Sequence, residues 1–254
     1  MNLTLQHTFT LLLQKLDGKT EIEALRWLAE IFAGNVVFSS SLGAEDQVIT
    51  DMILGNNLNI SIFTLDTGRL FEETQKVLHR TNQHYNTNLK VYFPNTEAVQ
   101  NLVNTKGPYS FYESVQNRKE CCFIRKVEPL SRALAGAKVW VTGIRAEQSG
   151  NRLQMPQLEW DEAHQVYKFH PLINWTLEEV QTYIKDKNIP YNSLHDKGFV
   201  SIGCAPCTRA VRPGEDFRAG RWWWEDESKK ECGLHSQAPQ PAAANRTDGG
   251  LNLV

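Results

Sequence analysis

A chain of 254 residues, 41% of them hydrophobic, can bury a substantial core and suits one α/β domain, alone or with appendages. Its net charge of −2 excludes a nucleic-acid binder held by bulk electrostatics, while local basic clusters can still take small anions. No run of about 18 apolar residues exists to span a bilayer, and the N-terminal MNLTLQHTFTLLLQKL lacks a signal peptide's basic start and small-residue cleavage site, so the expectation is a cytoplasmic protein without a membrane partner. Five cysteines, two of them adjacent (Cys121, Cys122), suit a metal site plus a free thiol better than a disulfide framework.

In chain order, apolar residues first recur at helical spacing (Leu5, Phe9, Leu12, Leu13, Leu16, then Ile22, Leu25, Leu28, Ala29, Phe32), which predicts two leading helices broken at Asp17-Gly18 and capping a sheet. Short β-type runs then alternate with helical patterns. These are Val36 to Phe38, a helix from about Glu45 to Leu54, Ile60 to Phe63, a helix from about Phe71 to Tyr85, and Lys90 to Phe93. Such alternation predicts a parallel, doubly wound sheet. A helical stretch from Lys119 to Ala135 follows, in which Pro129 should kink or interrupt the helix. Next come a strand from Lys138 to Thr142, a hairpin-like segment near Trp160 to Phe169, a helix from Thr176 to Lys187 and a long loop-rich stretch. From Ser236 the chain turns Pro/Ala/Gln/Asn/Gly-rich, the composition of a disordered tail over 236–254.

Ser39-Ser40-Ser41-Leu42-Gly43-Ala44-Glu45-Asp46 lies between a predicted strand and the helix after it. Hydroxyls, a glycine and helix-terminal amides at the carboxyl end of a parallel strand make an anion cradle, for which Ser39, Ser40, Ser41, Gly43 and Asp46 are the candidates. An ordinary N-cap with a tight turn accounts for the same residues. A second loop, Leu65-Asp66-Thr67-Gly68-Arg69-Leu70, stands in the same place after the next strand, with Arg69 able to reach an anion and Asp66 either a ligand contact or a helix cap. A third, Thr142-Gly143-Ile144-Arg145 with Gln148, Ser149 and Arg152, repeats the placement.

Cys121-Cys122 is followed 82 positions later by Cys204-Ala205-Pro206-Cys207. Four thiols in two close pairs can bind zinc or an iron–sulfur cubane; adjacent cysteines are unusual for zinc, whose ligands are normally spaced so that the chain wraps the ion. Two buried hydrophobes on a helix would also explain the Cys121-Cys122 pair. Cys232 stands apart, 25 residues beyond Cys207, in Glu231-Cys232-Gly233-Leu234-His235. Lys229, Lys230 and His235 could lower its pKa and make it a nucleophile; a bystander thiol near a terminus is the alternative. Between them run Arg209, Arg212, Arg218 and Arg221, with Trp222-Trp223-Trp224 directly after, a set suited to bidentate recognition of phosphate or sulfate. Lys126 adds a further cation, and His170 and His195 show no metal-ligand spacing and read as structural or surface residues.

SSSLGAEDQV, LDTGRLFEET, KECCFIRKVEPL, VTGIRAEQSGNR, GCAPCTR, PGEDFRAGRWWWE and KKECGLH together resemble the APS/PAPS (adenosine 5′-phosphosulfate and its 3′-phosphorylated form) reductases, in particular the iron–sulfur APS branch, from about Val36 to His235. The resemblance implies an α/β fold of adenine-nucleotide α-hydrolase-like (Rossmann-like) type, a mostly parallel sheet flanked by helices, with Ser39–Asp46 as a modified pyrophosphate loop. It implies a [4Fe–4S] cluster on Cys121, Cys122, Cys204 and Cys207, with Lys126 near both cluster and substrate, and Arg218 and Arg221, with Arg145 or Arg152, holding phosphate and sulfate. His235 joins the substrate-binding set, and APS is favoured because the PAPS-specific relatives lack the four cysteines, a dual APS/PAPS reductase being the alternative. Residues 1–235 are then one catalytic domain, with leading helices over 1–34 and a cluster and catalytic-cysteine segment over 204–235.

The expected chemistry is attack of Cys232 thiolate on the phosphosulfate sulfur, leaving an S-sulfocysteine that an external dithiol, thioredoxin or glutaredoxin, converts to sulfite. Homo-oligomerisation is left open. Two rivals are an ATP-using pyrophosphatase-loop enzyme, which would give Cys232 no task, and a non-catalytic iron–sulfur nucleotide sensor, which would leave the arginine run and ECGLH unexplained.

Overall fold

The computed structural model describes residues 3–148 and 152–225. Cys232, His235 and the tail over 236–254 therefore lie outside the described residues, as does Ser149.

Helices α1 (Leu3–Leu16) and α2 (Glu21–Ile31) part at Asp17-Gly18. Gly18 takes a left-handed φ of 71°, and Thr20 caps α2 in a reciprocal box with Glu23. Then follow β1 (Val36–Ser40), α3 (Ala44–Leu54), β2 (Ser61–Leu65), α4 (Glu72–His84), β3 (Lys90–Tyr92), α5 (Thr96–Lys106), α6 (Val115–Cys122), α7 (Glu128–Ala133), β4 (Val139–Val141), β5 (Leu158–Asp161), β6 (Val166–Phe169) and α8 (Leu177–Lys187). The six strands form one sheet in the order β3-β2-β1-β4-β6-β5. All neighbours are parallel except β5, which pairs antiparallel with β6 as the outer arm of the expected hairpin.

Alternation along the strands separates the two faces. Ile62, Val139, Val141, Tyr167 and Phe169 point into the larger core, which also takes buried residues from α1, α2, α3 and α8. The rings of Phe9 and Phe32 lie 6.4 and 6.1 Å from Tyr167, so the leading helices cover this face of the sheet. Phe63, Trp140 and Val166 point the other way, onto Leu130, Ala133 and Leu134 of and just after α7.

The expected interruption at Pro129 occurs one turn earlier. Phe123–Val127 forms a π-helical turn between α6 and α7, in which the Glu128 amide bonds to the Phe123 carbonyl, and Pro129 opens α7. Proline has no amide to give the carbonyl four residues back and its ring crowds that carbonyl, so the turn before it widens. Helix α5, not anticipated in the sequence reading, begins at Asn95, whose side chain accepts from the Ala98 amide. Among the described residues no helix is long and apolar enough to cross a membrane.

Candidate functional site

The chain order reverses beside β1, which has β2 on one side and β4 on the other, and a crevice opens at the carboxyl ends of these strands, the place where open α/β sheets bind ligands. It is a cleft of ≈ 220 Å³ lined by the Ser39–Gly43 loop, by Thr142-Gly143-Ile144, and by Arg152, Lys126, Arg218 and Arg221.

The first loop is more than a capped helix start. Gly43 is the N-cap of α3 and makes no side-chain cap bond, leaving the first-turn amides without one. Leu42 turns the chain with a left-handed φ of 61° while its side chain is buried. The loop is held from within. Ser40 Oγ accepts from the Leu42 amide at 3.1 Å, Ser39 Oγ accepts from Trp140 Nε1 at 2.7 Å, and Asp46 Oδ2 accepts from the Ser41 amide and hydroxyl at 2.5 and 2.6 Å. Gly143 completes the fit, since a Cβ there would lie 2.0 Å from Asp46 Oδ1.

Burial pushes the Asp46 carboxyl up to about 7, against the opposing pull of the two Ser41 hydrogen bonds. The folded state thus holds this proton more tightly than the unfolded chain, and raising the pH from 4 to 7 removes that contribution to stability. Asp46→Asn is expected to abolish it: relative to the variant, the wild type should lose on the order of 2–4 kcal/mol between these pH values in urea melts. Parallel curves for the two proteins would refute this.

The second loop lines the cleft through Leu65, Thr67 and Leu70, but Asp66 and Arg69 are engaged elsewhere. Asp66 closes its own turn, accepting from the Gly68 amide at 2.8 Å and from Gln75 Nε2 at 2.7 Å. Arg69 donates to the Pro108 carbonyl and lies 5.0 Å over the Phe111 ring, beside the cysteines rather than in the cleft. Arg145 is likewise turned away. It is buried, with Nε 2.8 Å from Glu45 and Nη1 2.9 Å from Glu147, and it does not line the cleft, whereas Arg152 does. His170 is a fully buried structural residue held by Thr142 Oγ1 at 2.6 Å.

Cys121, Cys122, Cys204 and Cys207 form no disulfide and line one small cavity with Arg69, Phe111, Arg118, Arg125 and Lys126. Adjacent cysteines reach it together because they end α6 where the π turn begins. Thr67 Oγ1 is 3.3 Å from Cys204 Sγ, and Arg125, which the sequence reading did not single out, donates Nη1 to the Thr67 carbonyl at 2.7 Å. Burial and then the neighbouring Cys204 push the Cys207 thiol up to about 12, and burial raises Cys121 as well. Such thiols become ligands only when a metal's charge displaces the proton. Among the described residues no three Cys, His, Asp or Glu side chains converge tightly enough for a single ion. The donors instead surround a cavity ringed by cations, an arrangement that fits an anionic polynuclear cluster better than one tetrahedral zinc.

Lys126 lines both this cavity and the cleft, joining the two. Arg221 lies at the same junction. A Cβ on Gly203 would be 2.4 Å from its Nη2, so only glycine lets the guanidinium lie flat on the backbone there. Beyond it, Glu225 forms a fully buried pair with Arg118 of α6, Arg118 Nη2 to Oε2 at 2.7 Å and Nε to Oε1 at 3.0 Å, with Trp222 4.7 Å from the guanidinium. No sequence signal linked these residues.

The phosphoadenosine phosphosulfate reductase domain model matches residues 35–210. The adenosine 5′-phosphosulfate reductase of Allochromatium vinosum is 51% identical over 82% of this chain and 83% of its own length, and that of Burkholderia cepacia 48% identical over 96% and 98%. A crystal structure of the phosphoadenylyl-sulfate (PAPS) reductase of Candida auris, a phosphate complex, superposes with a TM-score of 0.69 at 29% identity, covering 83% of this chain and 99% of that one. The fold is thus the adenine-nucleotide α-hydrolase-like arrangement expected. With the cleft at its switch point and relatives matched over nearly the whole length, the chain belongs to the APS/PAPS reductase family, on the branch of the adenosine 5′-phosphosulfate reductases.

Proposed function

We propose that this protein reduces adenosine 5′-phosphosulfate to sulfite and AMP for sulfate assimilation, with Cys232 as nucleophile. The observation that carries the reading is the junction of two cavities: an α/β-switch-point cleft whose cations adjoin a four-thiol cavity through Lys126. The Ser39–Gly43 loop and the α3 amides receive the nucleotide, and Lys126, Arg152, Arg218 and Arg221 offset the phosphosulfate charge. A [4Fe–4S] cluster on Cys121, Cys122, Cys204 and Cys207 would supply, when bound, a fixed charge centre beside that end of the cleft.

Cys232 thiolate attacks the sulfate sulfur, the bond from sulfur to the bridging oxygen breaks, and AMP leaves with the electron pair, giving Cys232 S-sulfocysteine. With four of the five cysteines assigned to the cluster, the chain has no second thiol to resolve this. An external dithiol of thioredoxin type therefore attacks, expels sulfite and closes to a disulfide, supplying both electrons and returning Cys232 as thiolate. His235 and the lysines before Cys232 favour the thiolate. The chemistry requires a reducing compartment, which the cytoplasm provides.

The test is a single turnover of anaerobically purified protein with sulfur-labelled APS and no reductant. Label on the wild type that thioredoxin releases, and none on Cys232→Ser, supports the reading; an unlabelled, cluster-loaded wild type refutes it.

A further inference from the structure

Three aromatic side chains lie together on the surface beside the cysteine cavity. Tyr109 is 62% exposed, Tyr112 39% and Trp223 40%, and Tyr112 lies 6.2 Å by ring centroids from each of the other two. The patch is firmly based. Tyr112 OH donates to the Pro206 carbonyl at 2.6 Å, its ring meets Trp224 edge-on at 4.4 Å, and Arg69 underlies Tyr109 at 5.8 Å. Clustered exposed aromatics on a soluble surface mark interaction sites, and tyrosine and tryptophan dominate interface energetics because they bury large area at small entropic cost.

The position of the patch identifies its occupant. Trp223 and Trp224 directly precede Glu225, which the buried Arg118 pair fixes in place. Cys232 is seven residues beyond Glu225, so a chain extended at about 3.5 Å per residue keeps it within roughly 25 Å of that anchor. A protein that reacts with Cys232 therefore brings its thiol within that reach of Glu225, and Trp223 of the patch stands two residues from Glu225. Resting on the function proposed above, we propose that Tyr109, Tyr112 and Trp223 form the docking surface for the dithiol protein that releases sulfite, a partner whose reactive cysteine is set in a flat apolar face. The patch lies outside the cleft, so reductant can dock without displacing nucleotide.

The test uses the full-length, cluster-loaded protein with Tyr109→Ser and Trp223→Ser made separately, Tyr109 being exposed enough for its variant to fold. Binding of a thioredoxin whose two redox cysteines are both serine is measured by calorimetry, which needs no turnover. Each substitution should weaken binding by about tenfold or more, roughly 1.4 kcal/mol. Labelling of Cys232 without reductant and release by dithiothreitol should stay at wild-type rates, while the KM for thioredoxin rises. Equal affinity in wild type and both variants would overturn the proposal, as would a wild type that does not bind. So would a fall in reductant-free labelling in the variants, which would make the patch a seat for the chain's own following segment. Variants that lose thioredoxin binding alongside a wild type that never takes label would uphold the surface and refute the role given to Cys232.

Discussion

Replacing Cys232 by serine is expected to reduce APS-dependent sulfite formation by at least about 10⁴-fold, with cluster content and thermal stability unchanged. An alcohol is far less acidic than a thiol, so serine at this position offers almost no anionic nucleophile near neutral pH. Even a sulfate ester formed on serine would be a dead end, because release requires thiol attack at sulfur. Three of the remaining cysteines are poor substitutes: Cys204 and Cys207 are buried, and burial raises Cys121 and Cys207 away from thiolate. Coupled sulfite release with wild-type and variant protein at saturating APS measures the effect, and residual activity above about one per cent would assign the nucleophile elsewhere.

Glu225→Gln should destabilise the protein by about 3 kcal/mol, because it removes the charge with which the carboxylate meets a buried guanidinium at two atoms. For a chain of this size that corresponds to a fall in Tm of roughly 10 °C. Arg118 sits over Trp222 and lines the cysteine cavity, so the loss should also loosen the Trp222 contact with the Cys207 carbonyl, to which the Trp222 amide donates at 3.2 Å. Replacing both partners with leucine should recover much of the stability, since the double change removes the two buried charges together. Thermal melts of the two proteins check this, and a Glu225→Gln melt within 2 °C of wild type would refute it.

The strands and most helices were legible because each carries its own period: Val36 to Phe38 and Ile60 to Phe63 are short apolar runs bounded by turns, and Leu25, Leu28, Ala29 and Phe32 recur at helical spacing. Helix α5 leaves little mark in the sequence because its apolar signal rests on few residues, and among its buried positions only Leu102 appears. In the site, the Ser39–Asp46 loop and the convergence of the cysteine pairs were readable from type and spacing. The directions of Arg69 and Arg145 were not. A guanidinium on a flexible stem goes where the tertiary structure offers acceptors, and Glu45 stands 100 positions from Arg145 while the Pro108 carbonyl stands 39 from Arg69. The Arg118–Glu225 pair spans 107 positions, beyond the reach of any local pattern.

The π-helical turn at Phe123–Val127 makes chain length, beside residue identity at Arg125 and Lys126, a heritable constraint on this segment. Removing one residue would let the turn tighten into ordinary helix and swing everything before it by about 100° relative to α7. Cys121 and Cys122 would rotate off the cavity while Lys126 stayed near the cleft, uncoupling the two halves of the site. Phe123, Ile124 and Val127 can drift among apolar types, but insertions and deletions between Cys122 and Pro129 should be purged, so that in any alignment of working relatives this interval stays ungapped.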